Sequence, residues 1–113
     1  MMEIVRRQAE MCSALGDYHR VLLLYAMAET PRSVSELATI VQMAQPAVSH
    51  HLRIMRERGV VRFERRGKSV YYSPADPRII EALDLLRAVQ SDIMQQQGVL
   101  AQLAASRPQL SED

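Results

Sequence analysis

The sequence predicts a mainly α-helical fold with one small β-hairpin, and three observations lead to this expectation. Apolar residues recur at helical spacing over most of the 113-residue chain. Residues 33–52 are typical of two short helices separated by a turn. Two β-patterned runs follow, and they flank Arg65-Arg66-Gly67-Lys68, whose glycine permits a tight turn. A helix pair followed by a basic hairpin indicates a winged helix-turn-helix with about five helices.

The first two helices are predicted from apolar spacing and a stop signal between them. The first helix is expected from Glu3 to Ala14, and Gly16-Asp17 then supplies a stop followed by an N-cap. The second helix, from Asp17 to Ala28, is apolar on nearly all sides, which is typical of a helix buried in the core. It is expected to end before Thr30-Pro31.

The third and fourth helices are predicted from their start signals. Ser33 and Glu36 have the spacing of a capping box, which satisfies the free amides at a helix start. Gln42-Met43-Ala44 is the expected turn. Gln45-Pro46 then opens the fourth helix, with proline in the first turn, where its missing amide costs nothing.

The fourth helix is predicted to have one buried face and one free face. Spacings of four and three place three apolar residues inside: Val48, Leu52 and Met55. The free face then contains Gln45, Ser49, His50 and Arg53. Their side chains can hydrogen-bond base edges or phosphates in the major groove, although an ordinary solvated face is the alternative. His51 turns toward the body of the protein, so we expect a hydrogen-bonded structural residue there.

The hairpin is expected to form a basic wing. Its strands are predicted at residues 60–64 and 69–73. Four cations belong to it: Arg62, Arg65, Arg66 and Lys68. They are expected to meet phosphate or the minor groove and to give affinity that falls with salt. Alternatively, such charges keep an exposed edge strand from pairing with other chains.

The last helix is expected to begin at Asp76-Pro77 and to continue to Ala105. This predicts one domain over residues 1–105 and a flexible tail over residues 106–113. The first and last helices have more apolar surface than a small domain can cover, so we expect a homodimer through these two helices. The alternative is that both helices complete the core of a monomer.

Charge and composition restrict the class of protein. Residues 45–72 contain seven Lys or Arg and two Asp or Glu, whereas the rest contains seven and eleven. The local positive field attracts phosphate. No apolar run approaches the ~20 residues of a membrane span, and the start lacks a secretory signal, so we expect a cytoplasmic protein with no membrane partner. Enzyme activity is not expected, because no nucleophile and base, phosphate-binding glycine loop or paired acidic site is recognisable.

Five short motifs follow one another in a specific order. They are Ala14-Leu15-Gly16-Asp17, Ser35-Glu36-Leu37-Ala38, Gln45-Pro46-Ala47-Val48-Ser49-His50-His51-Leu52, Gly59-Val60-Val61 and Gly67-Lys68-Ser69-Val70-Tyr71-Tyr72. From about Ala14 to Ile93 the chain resembles the ArsR/SmtB bacterial repressors. The resemblance implies a dimeric winged-helix repressor that binds double-stranded DNA. Such a repressor leaves the DNA when an inducer, often a metal ion, binds to it. For a symmetric dimer we expect an inverted-repeat operator.

The usual sensor positions of that family are altered in this chain. Where a thiolate site needs Cys-x-Cys-Asp, the chain has Ser33-Val34-Ser35-Glu36, and serine cannot replace a thiolate for a soft metal. Where a zinc site needs Asp-x-His and later His-x-x-His or Glu, it has Asp76-Pro77-Arg78 and Val89-Gln90-Ser91-Asp92. Cys12 is the only cysteine, so a dithiol switch within one chain is excluded. No metal site of the family is complete, and the cofactor is unknown.

Three alternatives remain open from the sequence. A nitrogen and oxygen metal site built from Asp17, His19 or the N-terminus is a speculation. The winged helix could instead be a protein-interaction module whose basic face binds an acidic partner. It could also be a regulator controlled by a partner protein, a co-regulator, rather than by a metal.

Overall fold

A computed structural model describes residues 1–106, and it confirms the mainly helical winged helix-turn-helix fold. The elements in chain order are α1 (Met2–Ala14), α2 (Tyr18–Ala26), β1 (Arg32–Ser33), α3 (Val34–Val41), α4 (Gln45–Glu57), β2 (Val61–Arg66), β3 (Ser69–Pro74) and α5 (Pro77–Ser106). Most of the predicted flexible tail, residues 107–113, lies outside the described residues.

The described chain forms two compact units, and the boundary between them lies within α5. The first unit, Met1–Glu81, contains α1 to α4, the sheet and the start of α5. The second unit begins at Ala82 and is the remainder of α5, in which every described side chain from residue 84 onward is exposed. Over residues 1–106, no helix has both the length and the apolar character needed to cross a membrane.

Two helices begin with side-chain caps that the sequence predicted. Asp17 Oδ1 accepts hydrogen bonds from the backbone amides of His19 at 2.8 Å and Arg20 at 3.2 Å. Ser33 Oγ accepts from the amide of Glu36 at 3.2 Å, and the Glu36 carboxylate accepts from the amide of Ser33 at 3.0 Å. These bonds satisfy amides that the first turn of a helix leaves without partners.

The sheet has three antiparallel strands in the order β1-β3-β2, one strand more than the predicted hairpin. Tyr72 of β3 lies opposite Phe63 of β2 on one side and Arg32 of β1 on the other. β1 is only two residues long, too short to show the alternation by which strands are recognised in a sequence. It forms because Ser33, the N-cap of α3, has an extended backbone that runs beside β3.

The core of the first unit is formed where α4 packs against α2, α3 and β2. The largest fully buried side chains are Leu23, Leu24, Met27, Leu37, Val48, Leu52, Met55 and Val60. Three of these eight belong to α4, and they are the three that the sequence predicted for its inner face. The orientation of α4 is therefore fixed by burial.

Both terminal helices leave apolar side chains in solvent. In α1 these are Met2, Ile4 and Val5. In α5 they include Leu85, Leu86, Val89, Ile93 and Met94. Apolar surface of this extent is typical of a contact face.

The core of α3 provides a stability test. Leu37 is 0% exposed and Ile40, three residues later, is 47% exposed. We expect Leu37→Ala to lower the free energy of unfolding by ~2–5 kcal/mol through lost burial and a cavity. Ile40→Ala should cost clearly less. Urea denaturation at one fixed protein concentration measures both, since association would add to stability. Equal losses would contradict the packing described for α3.

Candidate nucleic-acid interface

The face of α4 opposite the core is polar and open. Gln45, Ser49, His50 and Arg53 are all exposed, as the sequence predicted. Positions four residues apart stack on one side of a helix, so residues 45, 49 and 53 form a row. His50 lies beside that row, and Pro46, Ser49, His50 and Arg53 line a shallow concavity. The face presents amide, hydroxyl, imidazole and guanidinium groups together.

Two of these side chains contact each other. Arg53 Nη2 lies 3.2 Å from His50 Nδ1. A guanidinium can only donate hydrogen bonds, so Nδ1 is the acceptor in this contact, and an imidazole that accepts at Nδ1 has its N–H at Nε2. His50 then retains an N–H donor, and Arg53 retains further donors. Both suit acceptor-rich partners such as phosphate oxygens and the acceptor edge of guanine.

The wing is the β2–β3 hairpin, and it turns at Gly67. The φ of Gly67 is +61°, in the left-handed region that glycine enters without steric penalty. All four of its predicted cations are exposed: Arg62, Arg65, Arg66 and Lys68. The sequence thus predicted the position of the wing correctly.

Two of the wing cations have partners within the hairpin. Arg66 Nε donates to Glu64 Oε1 at 3.0 Å, and its guanidinium lies 5.3 Å from the centre of the Tyr71 ring. The hydrogen bond to Glu64 raises the pKa of Arg66, and the same bond lowers the pKa of Glu64. Arg62 Nε donates to Ser73 Oγ at 3.3 Å.

The other two wing cations are free. Arg65 and Lys68 have no hydrogen-bond or ion-pair partner among residues 1–106. Each therefore keeps its full charge available to an external anion. In the sequence the four cations are equivalent. In the structure, Arg62 and Arg66 have partners within the hairpin, whereas Arg65 and Lys68 do not.

Contacts that sequence reasoning missed hold α4 in place. The guanidinium of Arg56 lies 5.2 Å from the centre of the Phe63 ring, which links α4 to β2. Arg58 Nη1, just past the end of α4, donates to Ser13 Oγ at 3.1 Å and to the carbonyl oxygen of Glu10 at 3.4 Å. Both residues read as ordinary surface cations in the sequence, because their partners lie on other elements.

The altered sensor positions make contacts of their own. Ser33 and Glu36 form the capping box of α3. Arg78 Nε and Nη2 lie 3.0 and 2.9 Å from the two oxygens of Asp76, and the amide of Arg78 donates to Oδ1 at 2.8 Å. The side-chain hydrogen bonds from Arg78 are the largest cause that lowers the pKa of Asp76, to about 2. A cation at Asp76 would have to displace this guanidinium.

The residues considered for a nitrogen and oxygen site lie at the start of α2. Asp17 and His19 come together there with His51 of α4. Arg20 Nε donates to His51 Nδ1 at 3.2 Å, so His51 is hydrogen-bonded, as predicted. Burial lowers the pKa of His51 more than the charge of Asp17 raises it. The backbone amides of Arg20 and His19 help to hold the pKa of Asp17 below its ordinary value, against the opposing effect of burial.

Comparisons of the sequence with a family model and with known proteins all point to transcriptional regulators. Residues 17–62 match the family model described as bacterial regulatory protein, arsR family. The chain is 38% identical over 79 residues to a transcriptional repressor SmtB homolog of Synechocystis, covering 70% of this chain and 60% of that protein. It is 31% identical over 86 residues to an uncharacterized HTH-type transcriptional regulator of Methanocaldococcus jannaschii, covering 75% of this chain and 97% of that protein.

A solved structure shares the fold. It is the homodimeric winged helix-turn-helix DNA-binding domain of a possible ArsR-family transcriptional regulator from Mycobacterium bovis, with a TM-score of 0.78 and 23% identity. The match covers 84% of this chain and 88% of that one. The chain spans 55–63% of the length of the first curated relatives that it matches.

The Asp76 and Arg78 pair gives a prediction about pH. Arg78→Ala should raise the pKa of Asp76 from about 2 toward its ordinary value of ~3.9. Folding lowers the pKa of Asp76, so the pair stabilises the native state at any pH above the ordinary pKa of an Asp carboxyl group. That stabilisation is lost as the pH falls through about 2. An NMR titration of the carboxyl carbon measures the pKa. Arg7→Ala, which removes a partner of Glu3, is the control and should leave Asp76 unchanged. An unchanged pKa in Arg78→Ala would contradict the pairing.

Proposed function

The chain belongs to the ArsR family of bacterial regulatory proteins, and from this premise we propose that it is a homodimeric, sequence-specific DNA-binding regulator, a repressor of the ArsR/SmtB type. One observation carries the proposal. A helix held rigidly by its buried face presents an exposed row of hydrogen-bonding side chains next to a hairpin with free cations. This combination matches the chemistry of duplex DNA, where base edges lie in a groove between phosphate rows.

In this proposal α4 enters the major groove. Gln45, Ser49, His50 and Arg53 contact base edges and nearby phosphates, and they supply the choice of sequence. The wing contacts the backbone or the minor groove. Arg65 and Lys68 supply affinity there, because no carboxylate in the described part of the chain neutralises their charges. Arg62 and Arg66 add donors from positions fixed by Ser73 and Glu64.

A homodimer presents two copies of this surface. The exposed apolar faces of α1 and α5 provide the surface for association, and the homodimeric state of the M. bovis domain supports the same assembly here. A twofold dimer binds two half-sites separated by about one helical turn, ~34 Å, so its operator is an inverted repeat.

Repression is relieved when an effector favours a dimer arrangement that binds the operator poorly. An effector can shift this equilibrium only as far as it binds one arrangement more tightly than the other. The named relatives are transcriptional repressors and regulators, which supports a regulatory role rather than an enzymatic one. We place this activity in the cytoplasm, where bacterial duplex DNA lies.

The free wing cations give a prediction about salt dependence. The test is a fluorescence-anisotropy titration with duplex DNA from the region upstream of the protein's own gene. Arg65→Ala should reduce the slope of log affinity against log salt concentration by about one for each subunit. The matched control is Arg7→Ala, because it deletes an arginine that is paired with Glu3 in α1 and lies outside the wing. The control should leave the slope unchanged.

Two outcomes would contradict the DNA proposal. One is equal binding of upstream DNA and scrambled DNA at all salt concentrations, which would favour a protein-interaction module. The other is an identical salt slope for wild type, Arg65→Ala and Arg7→Ala. In that case the wing would contribute no phosphate contact.

The dimer gives a second prediction. The wild type should sediment as a dimer of the 12.8 kDa chain. Leu86 is 64% exposed, and Leu86→Glu should shift the protein toward monomer by placing a charge in the contact face. Ala88→Glu is the control, since it adds the same charge ~200° around α5. Analytical ultracentrifugation measures the mass, and circular dichroism verifies that both variants stay helical. A monomeric wild type would contradict the assembly.

A further inference from the structure

Three side chains able to bind a metal ion meet where the start of α2 lies against the middle of α4. One ligand atom from each of Asp17, His19 and His51 lies within 4.8 Å of the other two. The imidazole rings of His19 and His51 are stacked, with 5.8 Å between their centres and 28° between their planes. His19 Nδ1 lies 3.8 Å from Asp17 Oδ1. Two imidazoles and one carboxylate therefore face a single small volume.

The local structure explains only part of this cluster. Asp17 is the N-cap of α2, and Oδ1 alone accepts both amide hydrogen bonds. Within residues 1–106, Oδ2 has no hydrogen-bond donor. The His19 side chain is exposed, and capping requires neither His19 nor His51. The convergence of both imidazoles on Asp17 thus has no role in beginning the helix.

Arg20 competes with any ion for His51. Its Nε donates to His51 Nδ1 at 3.2 Å. A metal on Nδ1 would displace this guanidinium directly. A metal on Nε2 would move the imidazole proton to Nδ1, and two donors would then face each other. Occupancy by a metal and the Arg20 hydrogen bond are therefore mutually exclusive.

The distances describe an open shell that must close around an ion. Two ligands ~2.1 Å from zinc can be no more than ~4.2 Å apart, so a shell spanning up to 4.8 Å has to contract by about half an ångström. The exposed His19 can make this adjustment by rotating. Asp17 is half-buried and held by hydrogen bonds from two backbone amides, and His51 is half-buried, so these two residues form the less mobile side of the shell.

The donor set selects a class of metal. Imidazole nitrogen with carboxylate oxygen suits borderline divalent ions such as Zn²⁺, Ni²⁺ and Co²⁺. Soft ions prefer sulfur, and the three residues supply none. Mg²⁺ and Ca²⁺ prefer oxygen ligands alone. Water would complete the shell on the side of the exposed His19.

We propose that Asp17, His19 and His51 form a regulatory site for a divalent first-row transition-metal ion, bridging α2 and α4. An ion in this site cross-links α4 to the start of α2 and releases Arg20 from His51. His51 is next in sequence to His50, which lies on the exposed face of α4. A bound metal ion therefore changes both the contacts that hold α4 against α2 and the charge near that exposed face. The site itself is independent of the proposed function, whereas its effect on DNA affinity rests on that function.

The site is tested by adding Co²⁺ to the full-length protein and following visible absorption, with Zn²⁺ affinity measured by competition against a chromophoric chelator. Three variants each remove one ligand: Asp17→Asn, His19→Ala and His51→Gln. Asparagine still caps a helix, and glutamine still offers Arg20 an acceptor, so both variants should fold. Each should weaken Zn²⁺ binding by ~10–100-fold or more, since even partners outside the shell contribute that much.

Three further variants make the test specific. His50→Gln and Cys12→Ser should keep wild-type metal affinity, because neither residue belongs to the cluster. Arg20→Gln removes the competing guanidinium and should tighten Zn²⁺ binding, a result that a purely structural role for these residues does not predict. Wild-type affinity in all three ligand variants, or loss of binding in Cys12→Ser, would overturn the site.

The effect on DNA is tested separately, by anisotropy with upstream DNA at saturating Zn²⁺. The wild type should change its operator affinity by about 5–150-fold, and Asp17→Asn should not change. If Zn²⁺ binds as predicted and DNA affinity stays constant, the regulatory role is wrong. If the protein binds no DNA at all, the proposed function fails, and the Co²⁺ and Zn²⁺ titrations still decide whether the site exists.

Discussion

The burial of one face of α4 is the constraint on which the rest of the first unit depends. Val48, Leu52 and Met55 are almost completely buried between α2, α3 and β2. Adjacent residues on a helix point ~100° apart, so rotating α4 by one position would expose these apolar side chains, and in one direction it would bury Arg53 and Arg56 in their place. That rotation is strongly disfavoured. Burial of the inner face of α4 therefore determines which of its residues are exposed and available to a binding partner.

The surface charges divide into pairs that neutralise each other and cations that remain free. The pair formed by Arg66 and Glu64 is solvent-exposed, as is that of Arg78 and Asp76, and exposed pairs contribute little to stability. Their main effect is to remove charge from the surface. Arg65 and Lys68 are left in the wing without an ion-pair partner among residues 1–106. A chain of formal net charge +1 can thus present a local positive field without a large overall charge.

Sequence periodicity and capping patterns were enough to predict the helices, the hairpin and the two faces of α4, because these features depend on residues close together in the chain. Contacts between distant residues were not predictable in the same way. β1 exists only because Ser33 leads into α3 beside β3. Arg58 reads as a surface cation until α1 lies next to it. His51 was correctly expected to be hydrogen-bonded, but its approach to His19 depends on how α2 packs against α4.

We propose that the exposed face of α4 and the free wing cations together form the surface that contacts duplex DNA. The most direct measurement is an NMR titration of the ¹⁵N-labelled protein with a duplex from its upstream region, followed through amide chemical shifts. We expect the largest chemical-shift changes within residues 45–53 and 65–68. Changes confined to other parts of the chain, with these two segments unaffected at saturation, would contradict it.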